Sequence, residues 1–250
     1  MHYILPLLVG LSENIDFYLF SYDDDDDQNP RNLEDNLVKL DVDFGVNDDL
    51  KLIGCCNGLV CLSRPFSDYF ILWNPATRKL HKYSSYEYLE RSHDVAHGFG
   101  YVSSVDDYKY VRILTLGWES GQDSNIAQIF SLRESKWRKI EFDHDFVVRP
   151  YGKPVLLDEK LYWASYIKHV GSVIVCFDLG LEKSDIIKLN VADSVYLGVM
   201  RVHLCVSKYD STDRGDNESK IIQMPGSSTI EESIDLPKER CGGFGVKGCG

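Results

Sequence analysis

Short runs of apolar residues, either continuous or alternating with polar ones, are broken at regular intervals by turn-forming residues along this chain. The clearest series is Leu52-Ile53-Gly54-Cys55-Cys56, then Asn57-Gly58, then Leu59-Val60-Cys61-Leu62, followed by Phe70-Ile71-Leu72-Trp73-Asn74-Pro75. Asn57-Gly58 between two apolar runs predicts a two-residue hairpin turn with positive φ. Asn74-Pro75 ends the next strand, because proline fixes φ and has no N–H for a continuing ladder. The pattern predicts four strands, Lys51 to Cys56, Leu59 to Ser63, Tyr69 to Asn74 and Lys79 to Tyr83, in one antiparallel sheet.

The same four-strand pattern returns. A second set runs His97 to Val102, Tyr108 to Leu116, Ile126 to Leu132 and Trp137 to Phe142. A third runs Lys153 to Leu157, Leu161 to Tyr166, Val173 to Leu179 and Ser184 to Asn190. A fourth covers Tyr196 to Met200, His203 to Tyr209 and Lys220 to Met224 and then loses its pattern. A partial set precedes them all, Ile4 to Val9, Asp16 to Tyr22 and Leu37 to Phe44. The third-strand ends Trp73-Asn74-Pro75, Phe130-Ser131-Leu132 and Phe177-Asp178-Leu179 align, and each precedes a lysine (Lys79, Lys136, Lys183). Spacings of 57 residues from Trp73 to Phe130 and 47 from Phe130 to Phe177 suit four-stranded propeller blades, which become core only when neighbours stack on both faces. The expected fold is all-β, a propeller-like array of four to five antiparallel blades in a closed or incomplete ring. It occupies residues 1–224, and a Gly-rich, poorly ordered tail occupies 225–250. Trp73, Trp137 and Trp163 are expected at matched blade positions, packing between blades.

Connections between second and third strands are the long, polar ones: Arg64 to Asp68, Gly117 to Asn125, Ile167 to Ser172 and Asp210 to Ser219. In an up-and-down blade all of them lie on one face, where binding tends to be placed. The candidate protein-binding residues are therefore Arg64, Phe66 and Asp68; Trp118, Glu119 and Asp123; Lys168 and His169; and Asp213 and Arg214. Trp118 stands out, since a tryptophan in a polar loop has the character of a contact hot spot.

Composition narrows the classes. No run approaches the length of a membrane span, and the apolar stretch Tyr3 to Val9 lacks the basic flank and cleavage site of a signal peptide. Seven cysteines make an odd number for a disulfide framework. Cys56, Cys61, Cys176 and Cys205 lie in apolar alternation, which predicts reduced thiols in a cytoplasmic or nuclear protein. The formal charge of −12 is concentrated: residues 1–50 hold thirteen Asp and Glu against only Arg31 and Lys39. The run Asp23 to Asp27 reads as a solvated loop, or as a patch that steers a basic partner toward the chain. Nucleic-acid binding is disfavoured because phosphate contacts need a basic face.

Candidate chemistry is thin. His93 and His97 have helical metal-ligand spacing but fall at a strand entrance without the glutamate of a zinc protease. Gly98-Phe99-Gly100 lacks the third glycine and the helix of a dinucleotide fingerprint. The aspartate run lacks calcium-loop spacing, no Gly-x-Ser-x-Gly elbow exists, and Cys176 reads as core. No catalytic residue, cofactor or metal is expected.

The motifs together resemble a known family. Gly54-x-Cys56-Asn57-Gly58-Leu59-x-Cys61-Leu62 with Leu72-Trp73-Asn74-Pro75-x-Thr77-Arg78-Lys79 is similar to the F-box-associated domain of plant F-box proteins. The likeness continues at His97-Gly98-Phe99-Gly100-Tyr101, Asp106-Asp107-Tyr108-Lys109-Tyr110-Val111-Arg112-Ile113, Phe130-Ser131-Leu132-Arg133, Trp137-Arg138-Lys139-Ile140, Leu161-Tyr162-Trp163 and Phe177-Asp178-Leu179. Within the family the chain looks similar to the pollen S-locus F-box group. The resemblance implies a non-catalytic module that recruits a protein substrate, while an F-box docks the Skp-type adaptor of a cullin ubiquitin ligase. No helical F-box is read before the first strand, so adaptor and cullin are expected to join only through an F-box outside these residues. The S-locus likeness implies a basic S-ribonuclease as partner.

Overall fold

In the computed structural model, the described residues are 2–11, 14–23, 37–40, 50–63, 69–84, 92–116, 124–142, 147–167, 169–189, 195–200, 203–208, 219–222 and 233–235. Among them there is no α-helix, and one short 3-10 turn, Ser103–Val105, is the only helical segment. The chain divides into two compact units, Met1–Ser85 with Arg240–Gly250, and Tyr86–Glu239.

The first unit holds a three-stranded antiparallel sheet, β1 (His2–Leu11), β2 (Asn14–Asp23) and β3 (Leu37–Leu40), and a four-stranded one. The latter is β4 (Lys51–Cys56), β5 (Leu59–Ser63), β6 (Tyr69–Asn74) and β7 (Lys79–Ser84), paired in chain order. Asn57 (φ 48°) and Gly58 (φ 75°) form the expected positive-φ turn, and Cys56 pairs with Leu59 across it. The central strands are buried on both faces. Val60, Leu62, Ile71 and Trp73 form one cluster, while Cys61, Phe70 and Leu72 are buried on the opposite sides of the same strands. That double burial explains why these strands read as continuous apolar runs.

The second unit holds three sheets. The first is β8 (Ser92–Val102), β9 (Asp107–Leu116), β10 (Ser124–Ser131) and β11 (Lys136–Glu141). The second is β12 (Arg149–Leu157), β13 (Lys160–Ile167), β14 (Gly171–Asp178) and β15 (Lys183–Lys188). The third is β16 (Val195–Met200), β17 (His203–Lys208), β18 (Ser219–Ile222) and β19 (Ser233–Asp235). β19 supplies a fourth strand where the alternation gave no sign of one. The first strands come together, with β12 beside both β8 and β16. Side chains of β14 divide by parity between the two neighbours. Val173, Val175 and Phe177 pack with Val111, Ile113, Ala127 and Ile129 of the first sheet, whereas Ile174 packs with Val195, Leu204 and Val206 of the third. One strand thus serves two cores, as stacked blades require.

The His97-Gly98-Phe99-Gly100-Tyr101 motif acquires a physical meaning here. A Cβ on Gly98 would lie 2.6 Å from Leu161 Cδ1 and 2.8 Å from Trp163 Cζ2, and one on Gly100 would lie 2.6 Å from Leu179 Cδ1. These glycines let β8 lie directly against the next sheet. Trp163 is fully buried there and its indole N–H donates to His97 O at 3.1 Å.

The three tryptophans are not equivalent, contrary to expectation. Trp73 lies in a third strand, Trp137 in a fourth and Trp163 in a second. Matching by aromatic type alone ignored the turns, which set the register. The turns do repeat. In β6–β7, β10–β11 and β14–β15 a four-residue turn ends on a left-handed residue, Arg78 (φ 56°), Ser135 (φ 52°) or Glu182 (φ 54°). In each, the last strand residue accepts an N–H three positions on: Asn74 from Thr77 (3.1 Å), Ser131 from Glu134 (3.1 Å) and Asp178 from Leu181 (2.8 Å). A short polar side chain at that position is what the turn needs, which accounts for the aligned Asn, Ser and Asp.

Candidate interaction surface

Antiparallel pairing gives the sheets of the second unit two different ends. One end carries tight turns: Ser103–Asp106, Leu132–Ser135, Asp158-Glu159 and Leu179–Glu182. The other carries the β9–β10 and β13–β14 connections and the links from each sheet to the next.

At the tight-turn end the polar groups are engaged within the chain. Lys109, 4% exposed, donates to Leu179 O at 2.6 Å and to Glu182 at 2.8 Å, and Arg138 reaches the same carboxylate oxygen at 2.6 Å. Both cations come from the first sheet and the acceptors from the second. Glu159 accepts the Ser103 N–H at 2.8 Å, and hydrogen bonds from Ser103, its side chain first and its backbone second, hold the Glu159 carboxyl below its ordinary value. Asp107 is buried and accepts from the Ser131 hydroxyl at 2.6 Å and the Arg133 N–H at 2.8 Å. The Tyr101 hydroxyl donates to Asp106 at 2.7 Å, which raises the phenol pKa.

Of the sequence candidates, Arg64, Phe66, Asp68, Trp118, Glu119, Asp123, Lys168, Asp213 and Arg214 lie outside the described residues. His169 is described. It is exposed, in the left-handed region (φ 69°), in the β13–β14 turn. That connection is shorter than the expected span Ile167 to Ser172, since Ile167 already pairs with Gly171. It carries apolar surface, with Tyr166 50% and Val170 40% exposed. Tyr196 near the start of β16 is 59% exposed. Exposed aromatics of this kind are enriched at protein contacts.

Sequence reasoning missed Asn125, which it counted as the last residue of a polar loop. Asn125 belongs to β10 and is 6% exposed. Its side chain bonds both the N–H and the C=O of Val148, the residue just before β12. A polar residue opening an apolar run, Asn125-Ile126-Ala127, is the one local signal that could have marked it.

Other polar groups serve packing. Arg112 is buried, donates from Nε to Gln128 Oε1 at 2.9 Å and lies over the Trp137 ring, 5.8 Å from its centroid. His97 Nδ1 and the Tyr110 hydroxyl are hydrogen-bonded. His93 and His97 lie on a strand with a bulge between them, not on a helix. Four residues of strand span about 13 Å, against the single turn a helical pair needs. Cys61 and Cys176 are buried free thiols, pushed up by burial, Cys176 to about 11. Cys56 and Cys205 are in no disulfide either, and Cys55 alone among the described cysteines is disulfide-bonded. Among the described residues no three His, Cys, Asp or Glu side chains assemble as a metal-ligand set.

Comparison with known proteins fits this architecture. The model of the F-box associated β-propeller domain matches residues 6–207. An F-box/kelch-repeat protein of Arabidopsis thaliana is 32% identical over 141 residues, 54% of this chain and 38% of that protein. The F-box protein CPR1 of the same plant is 30% identical over 196 residues, 65% of this chain and 46% of its own. A further Arabidopsis F-box protein is 25% identical over 193 residues, 66% of this chain and 46% of that one. The chain thus spans less than half the length of these relatives. With both the motif-bearing turns and the stacked sheets in place, the chain belongs to the F-box-associated β-propeller family.

Proposed function

We propose that this chain is the non-catalytic substrate-recognition module of an SCF-type F-box ubiquitin ligase subunit, binding a protein target for ubiquitination. The observation that carries the reading is the family match over residues 6–207 on sheets whose connections differ at their two ends. Because the tight-turn end of the second unit is cross-linked internally, recognition is assigned to the opposite end. The candidates there are the connections that bear Trp118, Lys168, His169 and Asp213. The recognition domain is residues 1–224 together with β19, which pairs with β18 although it falls in the stretch expected as a tail. Adaptor and cullin join through an F-box, and the assembly works in the cytoplasm or nucleus. Among the described residues no helix is long and apolar enough to cross a membrane.

A propeller enzyme or lectin would need acid, base or metal groups converging on the first strands. Of the described side chains in β4, β8 and β12, His97 is the one imidazole, and it is hydrogen-bonded to Tyr110. Support for a basic S-ribonuclease partner is absent from the matched relatives, none of which is named for the S locus. The acidic run Asp23 to Asp27, apart from Asp23 itself, lies outside the described residues.

The test is a fusion of an F-box to residues 1–250, expressed beside the F-box alone and beside the unfused chain. The fusion should retain a Skp-type adaptor and the unfused chain should not. Ubiquitin-remnant profiling should then reveal a target whose modification requires the fusion. If every modified site is shared with the F-box alone, the recognition role is refuted.

A further inference from the structure

We propose that Asn125 is a positioning residue which ties the start of β10 to the approach to β12, so that the two strand ends are held as one element. The geometry resembles a rung of a sheet made by a side chain. Val148 N donates to Asn125 Oδ1 at 2.7 Å, and Asn125 Nδ2 donates to Val148 O at 3.0 Å. Two opposed bonds to one residue are what an antiparallel neighbour would make. Val148 is fully buried and lies one residue before β12, whose pairing begins at Arg149 with Tyr166. The amide of Asn125 therefore takes the part of a strand partner at a point where the ladder has not yet started.

The same side chain reaches back to β9. Nδ2 also lies 3.1 Å from Thr115 Oγ1 and 3.4 Å from Leu114 O, and the Thr115 hydroxyl donates to Val148 O at 3.5 Å. Asn125 O accepts the Phe142 N–H at 3.2 Å, just beyond β11. The end of β9, the start of β10, the end of β11 and the approach to β12 thus meet at one residue. Its amide orientation is dictated by its partners: a backbone N–H can only donate and a backbone C=O can only accept.

At neutral pH the near isosteres of asparagine do not replace it. Aspartate has no donor for Val148 O when ionised, leucine has neither function, and glutamine adds a methylene in a buried site. Truncation would leave the Val148 N–H buried without its partner and its C=O with only the Thr115 hydroxyl at 3.5 Å, the expensive case for a hydrogen bond. By contrast, the next inter-sheet link is held more simply, with Val195 N donating to the Tyr151 hydroxyl at 3.0 Å. The importance of Asn125 for recognition rests on the reading above; the coupling of the two strand ends does not.

Hydrogen exchange and chymotrypsin cleavage on residues 1–250 test the coupling without any target. In Asn125→Ala the Val148 amide should exchange at least tenfold faster, and cleavage after Trp118 and after Phe146 should rise together. Amides of Ile174 and Val175 in β14 should keep their protection, which a general loss of stability would not allow. Asn125→Asp keeps an acceptor for the Val148 N–H, so that amide should stay protected, while loss of the donor to Val148 O should still raise cleavage at both sites at neutral pH. In Asn125→Ala, unchanged Val148 exchange, or cleavage rising at only one of the two sites, overturns the proposal. Should Asn125→Ala fail to fold, Asn125→Asp and Thr115→Val decide by cleavage, and unchanged cleavage in both overturns it. A failure here leaves the ubiquitin-remnant test untouched, so the two readings stand or fall separately.

Discussion

The sheets β8–β11 and β12–β15 have the same pairing scheme and bury very different side chains. The first buries Asp107, Lys109, Arg112, Thr115, Asn125, Gln128 and Ser131, whereas the second buries only Ser165 and Ser172 among its polar residues. Asp107, Lys109, Thr115 and Asn125 of the first sheet reach turns or links, and Lys109 crosses to the second sheet. The second sheet answers with the Leu179 carbonyl, the glutamates Glu159 and Glu182 of its turns, and an apolar face. Apolar contact tolerates many arrangements of similar volume, while a buried polar group is satisfied in few. The second sheet therefore supplies cohesion, and the first supplies the constraints that fix how the two sheets register.

If that division holds, the largest loss should come from the apolar side. Trp163→Ala removes a fully buried indole and its bond to His97 O, and should cost about 3–5 kcal/mol in denaturant unfolding. A loss under about 1 kcal/mol would show that the shared cluster is not the main source of cohesion.

Lys109→Met keeps the stem and deletes the ammonium. Glu182 retains Arg138 and is itself partly exposed, so the expected cost is about 1–3 kcal/mol, chiefly from the Leu179 carbonyl left without its donor. Because the effect is polar, Lys109→Arg should not restore full stability, since a planar fork cannot repeat the ammonium's geometry. Full recovery with arginine would mean that charge alone matters there.

Two glycines separate packing from backbone strain. Gly98→Ala should cost about 1–3 kcal/mol by overpacking against Leu161 and Trp163, and should couple strongly to Leu161→Ala in a double-mutant cycle. Gly58→Val meets nothing within 4 Å, yet sits at φ 75°. Its cost of about 1–2 kcal/mol should come from the left-handed backbone and be independent of any core substitution. Coupling of Gly58 to core residues would refute the hairpin account.

The smallest effect concerns pH. Glu159 has a depressed pKa in the folded chain because it accepts hydrogen bonds from the Ser103 side chain and N–H. Its contribution is therefore present above the ordinary glutamate pKa and is lost as pH falls through the folded value. Glu159→Gln should flatten that part of the stability profile in the acid range while changing little at pH 7. The group is nearly fully solvated, so the change should be near the limit of detection. A pronounced difference at pH 7 would contradict a solvent-screened tie.

Much of the molecule was legible from local pattern. The strands from Lys51 to Lys188 fall within a few residues of their observed bounds, because alternation, Asn57-Gly58 and the aligned Asn74, Ser131 and Asp178 are decided by neighbours in sequence. A strand and its hairpin partner are set by side-chain parity and turn chemistry, and both act over a few residues. The contacts between sheets were not legible. Lys109 meets Glu182 across 73 positions, Trp163 meets His97 across 66, and Asn125 meets Val148 across 23. Nothing in a local period says which buried polar residue will find which partner, so Asn125 read as loop and the tryptophans read as repeats. Only the stacking of one sheet on the next decides those pairings, because it sets which faces are excluded from water and which backbone groups must then be satisfied by a side chain.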